Sequence, residues 1–256
     1  MATTFIKNRK DQRIALIVEQ PAQPIGLAFV MHGLGGFKEQ PHIKAMAQVL
    51  LKNGYTTVRF DTSNSFGESD GQFENATATN YFEDLVDVIA WARNESWYQQ
   101  PYILVGHSLG GFCTGLYAEK YPEEIKALAP ISTVVTGLLT LNTGRYQQAL
   151  PEWKKTGWLI SESTSKPGTL KRLKYSFYDD AIRYDLMPNV AKLTMPVLLV
   201  VGDQDESTPP EHERRLFDAL PGAKELHIIK GADHNFRQLG NSSELSQIFN
   251  IWIKKI

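Results

Sequence analysis

Apolar segments of strand length alternate with segments of helical periodicity along almost the whole chain, and that alternation narrows the folds open to it. "TTFIKNR" and "RIALIVEQ" flank a polar turn at Asp11 and read as an opening hairpin. "IGLAFVMHG" reads as a strand buried on both faces, because its apolar run is continuous. "KAMAQVLLKNG" follows, with Ile43, Met46, Ala47, Leu50 and Leu51 at helical spacing and Gly54 at the stop. "YTTVRFD" is the next strand, and a polar loop runs from it to about Ala76. Thr77 opens a helix with Phe82, Leu85, Val86 and Ile89 on one face. "YILVG" is a strand, and "LGGFCTGLYAEKY" a helix ended by Pro122. The strands "IKALAPIS", "PVLLVVGD" and "ELHIIKG" and the closing helix "SELSQIFNIWIKKI" complete the series. This order predicts an α/β fold, a mostly parallel sheet with helices on both faces. Such sheets bind ligands at the carboxyl ends of their strands.

The 256 residues suit one large domain or two small ones. Hydrophobic residues make up 42% and charged residues 21%, enough for a packed core and too apolar for disorder. The net charge is −1 with no basic stripe, so no nucleic acid is expected as partner. The single cysteine, Cys113, falls in a helix and reads as core. The N-terminus lacks the apolar run and cleavage site of a signal peptide, and no apolar run is long enough to span a bilayer. The expectation is a cytoplasmic protein with no membrane span; a homodimer stays open. Residues 134–191 are too long for an ordinary connection. They carry Tyr146, Trp153, Trp158, Tyr175, Phe177 and Tyr178, and "TSKPGT" reads as a turn between two short strands. The segment is therefore expected to be an inserted cap, with 1–133 and 192–256 forming the core domain.

The strand "YILVG" runs straight into Gly106-His107-Ser108-Leu109-Gly110 and then a helix. Gly-x-Ser-x-Gly is weak by itself, but in this strand–turn–helix setting it forms a nucleophile elbow. The glycines leave room for the tight turn, Ser108 projects at the sheet's top edge, and the N–H of Leu109 points toward an oxyanion formed there. A serine hydroxyl needs a base, and the base an orienting group. Six histidines compete. His32 and His107 sit in glycine-rich turns, His42 and His212 on helices where they read as solvated, and His227 within a strand. His234, in "GADHNF", lies just past the last strand at the same sheet edge. For the acid, "GDQDESTPP" offers Asp203, Asp205 and Glu206. Asp203 is close enough to the strand end to bond backbone amides, so Asp205 is preferred and Asp203 is the runner-up. A second oxyanion donor is expected from "MHGLGGF", at the N–H of Leu34. No phosphate-binding fingerprint, H-E-x-x-H or cysteine cluster is present, so no cofactor and no metal is expected.

The pieces "HGLGG", "RFDTSNSFGESDG", "GHSLGG", "GDQDESTP" and "GADHNF", in that order, make the chain resemble the α/β-hydrolase family over nearly its whole length. The resemblance implies an eight-stranded, mostly parallel sheet with a cap after the sixth strand, where 134–191 falls. It implies Ser108 as nucleophile, Asp205 as acid and His234 as base, with the amides of Leu34 and Leu109 forming the oxyanion hole. "GESDGQFENATATNYFEDLVDVIAWA" is similar to bacterial esterases that cleave cinnamoyl or feruloyl esters, although relatives often carry Gly-His where this chain has Ser65-Phe66. The implied function is a serine esterase acting on a small-molecule carboxylic ester with an aryl or short-to-medium acyl group. The same triad serves thioesterases, peptidases and C–C bond hydrolases, and the fold also hosts non-catalytic binding proteins.

Overall fold

The hairpin forms as β1 (Thr4–Lys7) and β2 (Arg13–Glu19), antiparallel with Ile6 opposite Ile14. The structure is a computed structural model that describes residues 2–163 and 168–256. After the hairpin come β3 (Gly26–Met31), α1 (Pro41–Lys52), β4 (Tyr55–Phe60), α2 (Ala78–Ala92), β5 (Tyr102–His107), α3 (Leu109–Lys120) and β6 (Ile125–Ile131). Then follow α4 (Gly137–Leu141), α5 (Gly144–Thr156), β7 (Trp158–Glu162), β8 (Leu170–Lys174) and α6 (Ser176–Ala181). The chain ends with β9 (Val197–Gly202), α7 (Pro210–Ala219), β10 (Lys224–Ile229) and α8 (Asn241–Ile253). β7 and β8 pair antiparallel as the two short strands expected there; the turn at "TSKPGT" falls mainly on residues 164–167, outside the described residues.

The remaining strands form one eight-stranded sheet in the order β1-β2-β4-β3-β5-β6-β9-β10. Only β2 runs against its neighbours; every other pairing is parallel. β3, β4, β5 and β9 are buried at every position; β3, β5 and β9 therefore read as apolar runs without alternation, whereas β4 also buries Thr56, Thr57 and Arg59, the arginine paired with Glu19. Their side chains still divide by face. Leu27, Phe29, Met31 and Leu104 join a core with Leu85, Ile89 and Phe112 of α2 and α3. Ala28, Val30, Ile103 and Val105 join a second core with Met46, Leu50, Phe249 and Trp252 of α1 and α8. α2 starts at Thr77 as expected, because its side-chain oxygen accepts from the Asn80 N–H at 3.0 Å and satisfies one orphan donor of the first turn. Cys113 is buried in the first core. No described helix is long and apolar enough to cross a membrane. Parallel strands bring the ends of β3, β5, β6, β9 and β10 to one edge of the sheet, and the candidate site lies there.

Candidate active site

Ser108 stands between the last residue of β5 and the first of α3, with φ 55° and ψ −119°. Side chains other than glycine rarely occupy that region, at a cost of about 1–3 kcal/mol, and the surroundings must over-determine it. Its N–H donates to the Ile131 carbonyl at 2.9 Å, and its own carbonyl accepts from the N–H of Phe112 at 3.0 Å and of Val134 at 3.3 Å. The glycines make the turn possible. A Cβ on Gly106 would stand 2.3 Å from the Gly110 carbonyl oxygen, and one on Gly110 would stand 2.4 Å from that of His32.

The loops after β9 and β10 bring the other two predicted side chains to this serine. His234 Nε2 lies 3.0 Å from Ser108 Oγ, and His234 Nδ1 lies 2.8 Å from Asp205 Oδ2. Asp205 is buried, and its Oδ1 accepts from the amides of Ser207 and Thr208, both at 2.9 Å. Burial pushes the Asp205 pKa up, but the opposing His234, its hydrogen bond and the two amides outweigh this and hold it below the usual carboxylate value. Asp203 is placed differently. Its Oδ1 accepts from the Gly231 amide at 2.6 Å and staples the β9 loop to the β10 loop.

Leu34 and Leu109 both line the cleft around Ser108. Leu109 is the first residue of α3, so its N–H has no acceptor within the helix. The turn that carries Leu34 is fixed by Tyr81, which the sequence did not single out, and by His32, which it placed only in a glycine-rich turn. The Gly35 amide donates to the Tyr81 hydroxyl at 3.1 Å. His32 Nε2 accepts from the Thr62 amide at 3.0 Å, which leaves Nδ1 to donate to the Gly33 carbonyl at 2.8 Å. Burial lowers the His32 pKa and keeps this neutral tautomer. Behind the turn, buried Lys38 pairs with Asp61 at 2.8 Å.

His107 is a further positioning residue. Its Nε2 lies 2.7 Å from the backbone oxygen of His234 and therefore carries the proton that holds the His234 loop. Burial, then the neighbouring rings of His42 and His234, push its pKa well below the ordinary value. His42 corrects an expectation. It is buried rather than solvated, because α1 lays that face over the site, where its ring packs 4.4 Å from that of His107. Burial pushes its pKa down to about 3, so it stays neutral.

Residues 134–191 supply one side of the cleft, including Val134, Leu141, Arg145, Tyr146, Lys171 and Phe177. Most of their aromatic surface packs elsewhere. Trp153 is fully buried, its Nε1–H donates to the Leu173 carbonyl at 3.1 Å, and the rings of Tyr175 and Tyr178 meet it edge-on. Among the described residues, no group of three or more histidine, cysteine, aspartate or glutamate side chains is arranged to hold a metal ion.

Glu213 of α7 is fully buried below the site. Its Oε1 accepts from the Thr133 amide, and its Oε2 has no partner among the described residues. Burial first, and the Asp205 charge with it, raise its pKa well above the usual carboxylate value. The folded chain therefore keeps a proton that the unfolded chain loses above the ordinary glutamate pKa. Stability from this group is full below that pKa and falls as pH rises, at up to about 1.4 kcal/mol per pH unit. Glu213→Gln removes the titration. The stability gap between the wild type and this variant is expected to move in the variant's favour from pH 5 to pH 8. Urea melts at the two pH values check this; a constant gap would show that Glu213 is ionised in the folded state.

The sheet order, the elbow at Ser108 and the loops that meet it define an α/β hydrolase. The sequence profile of the alpha/beta hydrolase fold matches residues 29–170, and the chain belongs to that family. It is 28% identical over 200 residues to the mitochondrial palmitoyl-protein thioesterase ABHD10 of Mus musculus, a match that takes in 77% of this chain and 65% of that protein. The Bos taurus form matches at 28% over 59% of its length, so the chain spans less than two thirds of these relatives. An Escherichia coli protein described as an uncharacterized 31.7 kDa protein in the traX-finO intergenic region is 28% identical, with 89% of this chain and 90% of that one covered. Among solved structures, Est1E from Butyrivibrio proteoclasticus with bound ferulic acid superimposes with a TM-score of 0.79 at 24% identity, over 98% of each chain. The mouse alpha/beta hydrolase domain-containing protein 10 superimposes with a TM-score of 0.80 at 24% identity, over 100% of this chain and 99% of that one. At these identities the superpositions establish the shared fold.

Proposed function

We propose that this chain is a serine hydrolase that cleaves carboxylic esters through an acyl-enzyme on Ser108, with residues 134–191 as a cap over the cleft. The observation that carries the reading is the continuous contact from Ser108 Oγ through His234 to Asp205, at 3.0 and 2.8 Å. His234 Nε2 takes the hydroxyl proton as Ser108 Oγ bonds to the acyl carbon. The carbonyl oxygen becomes an oxyanion facing the amides of Leu34 and Leu109. The bond to the leaving oxygen breaks and His234 returns the proton to it. Water then attacks the acyl-enzyme by the same route, releasing the acid and restoring the hydroxyl. Asp205 stays ionised and holds His234 with its proton on Nδ1. The cycle uses no cofactor.

Val134, Leu141, Tyr146 and Phe177 give the acyl site an apolar wall that includes two aromatic rings, which supports an aryl or short-to-medium acyl group. A thioester reading is favoured by the name of the curated mammalian relatives, and the same steps break a C–S bond. A panel of feruloyl, butyryl and palmitoyl oxygen esters and their thioester counterparts tests both. The feruloyl and butyryl oxygen esters are expected to exceed the palmitoyl ones in kcat/KM by about tenfold or more, the effect of a few misplaced methylenes. A palmitoyl thioester that wins by that margin would replace this reading with a long-chain thioesterase. No turnover of any of them would remove the hydrolase proposal.

A further inference from the structure

Two cationic side chains enter the cleft from opposite parts of the cap segment, and no carboxylate answers them. Arg145 lies near the start of α5 and Lys171 in β8; both line the same cleft as Ser108, and none of the described residues lining it is an aspartate or glutamate. Neither cation forms an ion pair among the described residues. Arg145 donates from Nη1 to the Ser207 hydroxyl at 3.2 Å, beside the loop that carries Asp205. Its guanidinium also stands 5.8 Å from the ring centroid of its neighbour Tyr146. Among the described residues, the Lys171 ammonium has the ring of Phe73, 6.0 Å away. The first turn of α5 carries no acidic residue, so the positive end of that helix adds to the same field. Arg145 is exposed and Lys171 half-buried, so the cost of lost solvation falls on Lys171, and the two like charges repel each other across the cleft unless an anion sits with them.

From this arrangement we infer that Arg145 and Lys171 form an anion subsite inside the cleft, and that the substrate carries a carboxylate or phosphate within reach of its scissile carbonyl. The inference rests on the ester-hydrolase reading of Ser108. The state of Lys171 agrees with it: partial burial, and then the charge of Arg145, push its pKa down to about 8, the behaviour of a lysine that lacks its counter-ion. Arg145 adds a planar fork suited to either anion, and Lys171 a point charge. The anion has two sources, the acyl group or the leaving group, and both present the same chemistry to this pair.

Matched substrates separate these sources. For the acyl group, phenyl hydrogen glutarate is compared with phenyl pentanoate. For the leaving group, S-butyryl-4′-phosphopantetheine is compared with S-butyryl-pantetheine. At least one charged substrate is expected to exceed its neutral match in kcat/KM by about tenfold or more, the strength of one charge-assisted hydrogen bond. The arm that shows the preference says which side carries the anion. The preference should shrink from 20 mM to 500 mM salt. It should collapse toward unity in Arg145→Gln and Lys171→Gln, and Lys171→Glu should turn it against the charged substrate. Equal rates for both pairs in the wild type, with neutral esters still cleaved, would overturn the anion subsite and leave the hydrolase reading standing. A charged-substrate preference that survives both glutamine variants would likewise overturn the assignment to these residues. Failure of the underlying reading looks different: no substrate is turned over, and a fluorophosphonate leaves Ser108 unlabelled.

Discussion

Ser108→Ala is expected to lower kcat by roughly 10⁴- to 10⁶-fold, by the measure of other serine hydrolases stripped of their nucleophile. The residual rate would come from the amides of Leu34 and Leu109 and from substrate binding, which the substitution leaves in place. KM should change little, because the hydroxyl bonds covalently only after binding. The fold should survive. Among the described residues, the side-chain oxygen of Ser108 hydrogen-bonds His234, and the backbone bonds to Ile131, Phe112 and Val134 hold the strained turn without it. A melting temperature close to wild type therefore belongs to the expected result, as does loss of fluorophosphonate labelling. The decisive measurement is kcat for a butyryl ester with purified variant protein. Activity within tenfold of wild type, or labelling of another serine, would show that Ser108 is not the nucleophile.

The parts of this site that could be read from sequence are those carried by local chemistry. Continuous apolar runs mark β3, β5 and β9, and two glycines around Ser108 mark the turn that only glycines can close. His234 and Asp205 are reached from sequence by position, and the structure brings both side chains to Ser108, since in a parallel sheet the loops after late strands arrive at the same edge as the elbow. Tyr81, His107 and Glu213 were out of reach for one reason. Each acts on a backbone group 46, 127 or 80 residues away, and no periodicity encodes such a pairing. His42 failed differently. A polar residue on an amphipathic helix reads as solvated, whereas α1 lays that turn against the histidines of the site. Arg145 and Lys171 were hidden among the aromatics of residues 134–191, 26 positions apart, and only the folded α5 and β8 set both in one cleft.

Asp205→Asn is expected to cost about 10⁴-fold in kcat, and the reason lies in how its two oxygens are used. Oδ1 accepts from the amides of Ser207 and Thr208, which can only donate. An asparagine there must turn its carbonyl oxygen to those amides. Its NH₂ group then faces His234 Nδ1, where Asp205 Oδ2 stood at 2.8 Å. Nδ1 has to accept, so the imidazole proton moves to Nε2, and Nε2 can no longer take the proton of Ser108. The geometry stays while the tautomer is wrong, so the loss should fall on kcat with little change in melting temperature. Asp203→Asn is the matched control. Its oxygen still accepts from the Gly231 amide, so the cost should stay below about tenfold, that of one weakened hydrogen bond. Both carboxylates leave the same loop after β9, two residues apart, and general damage to that loop would lower both variants alike. Steady-state kinetics of the pair with one butyryl ester decide the assignment. If Asp203→Asn is the more severe lesion, the orienting acid is Asp203, and the contact between Asp205 and His234 serves only to hold the loop.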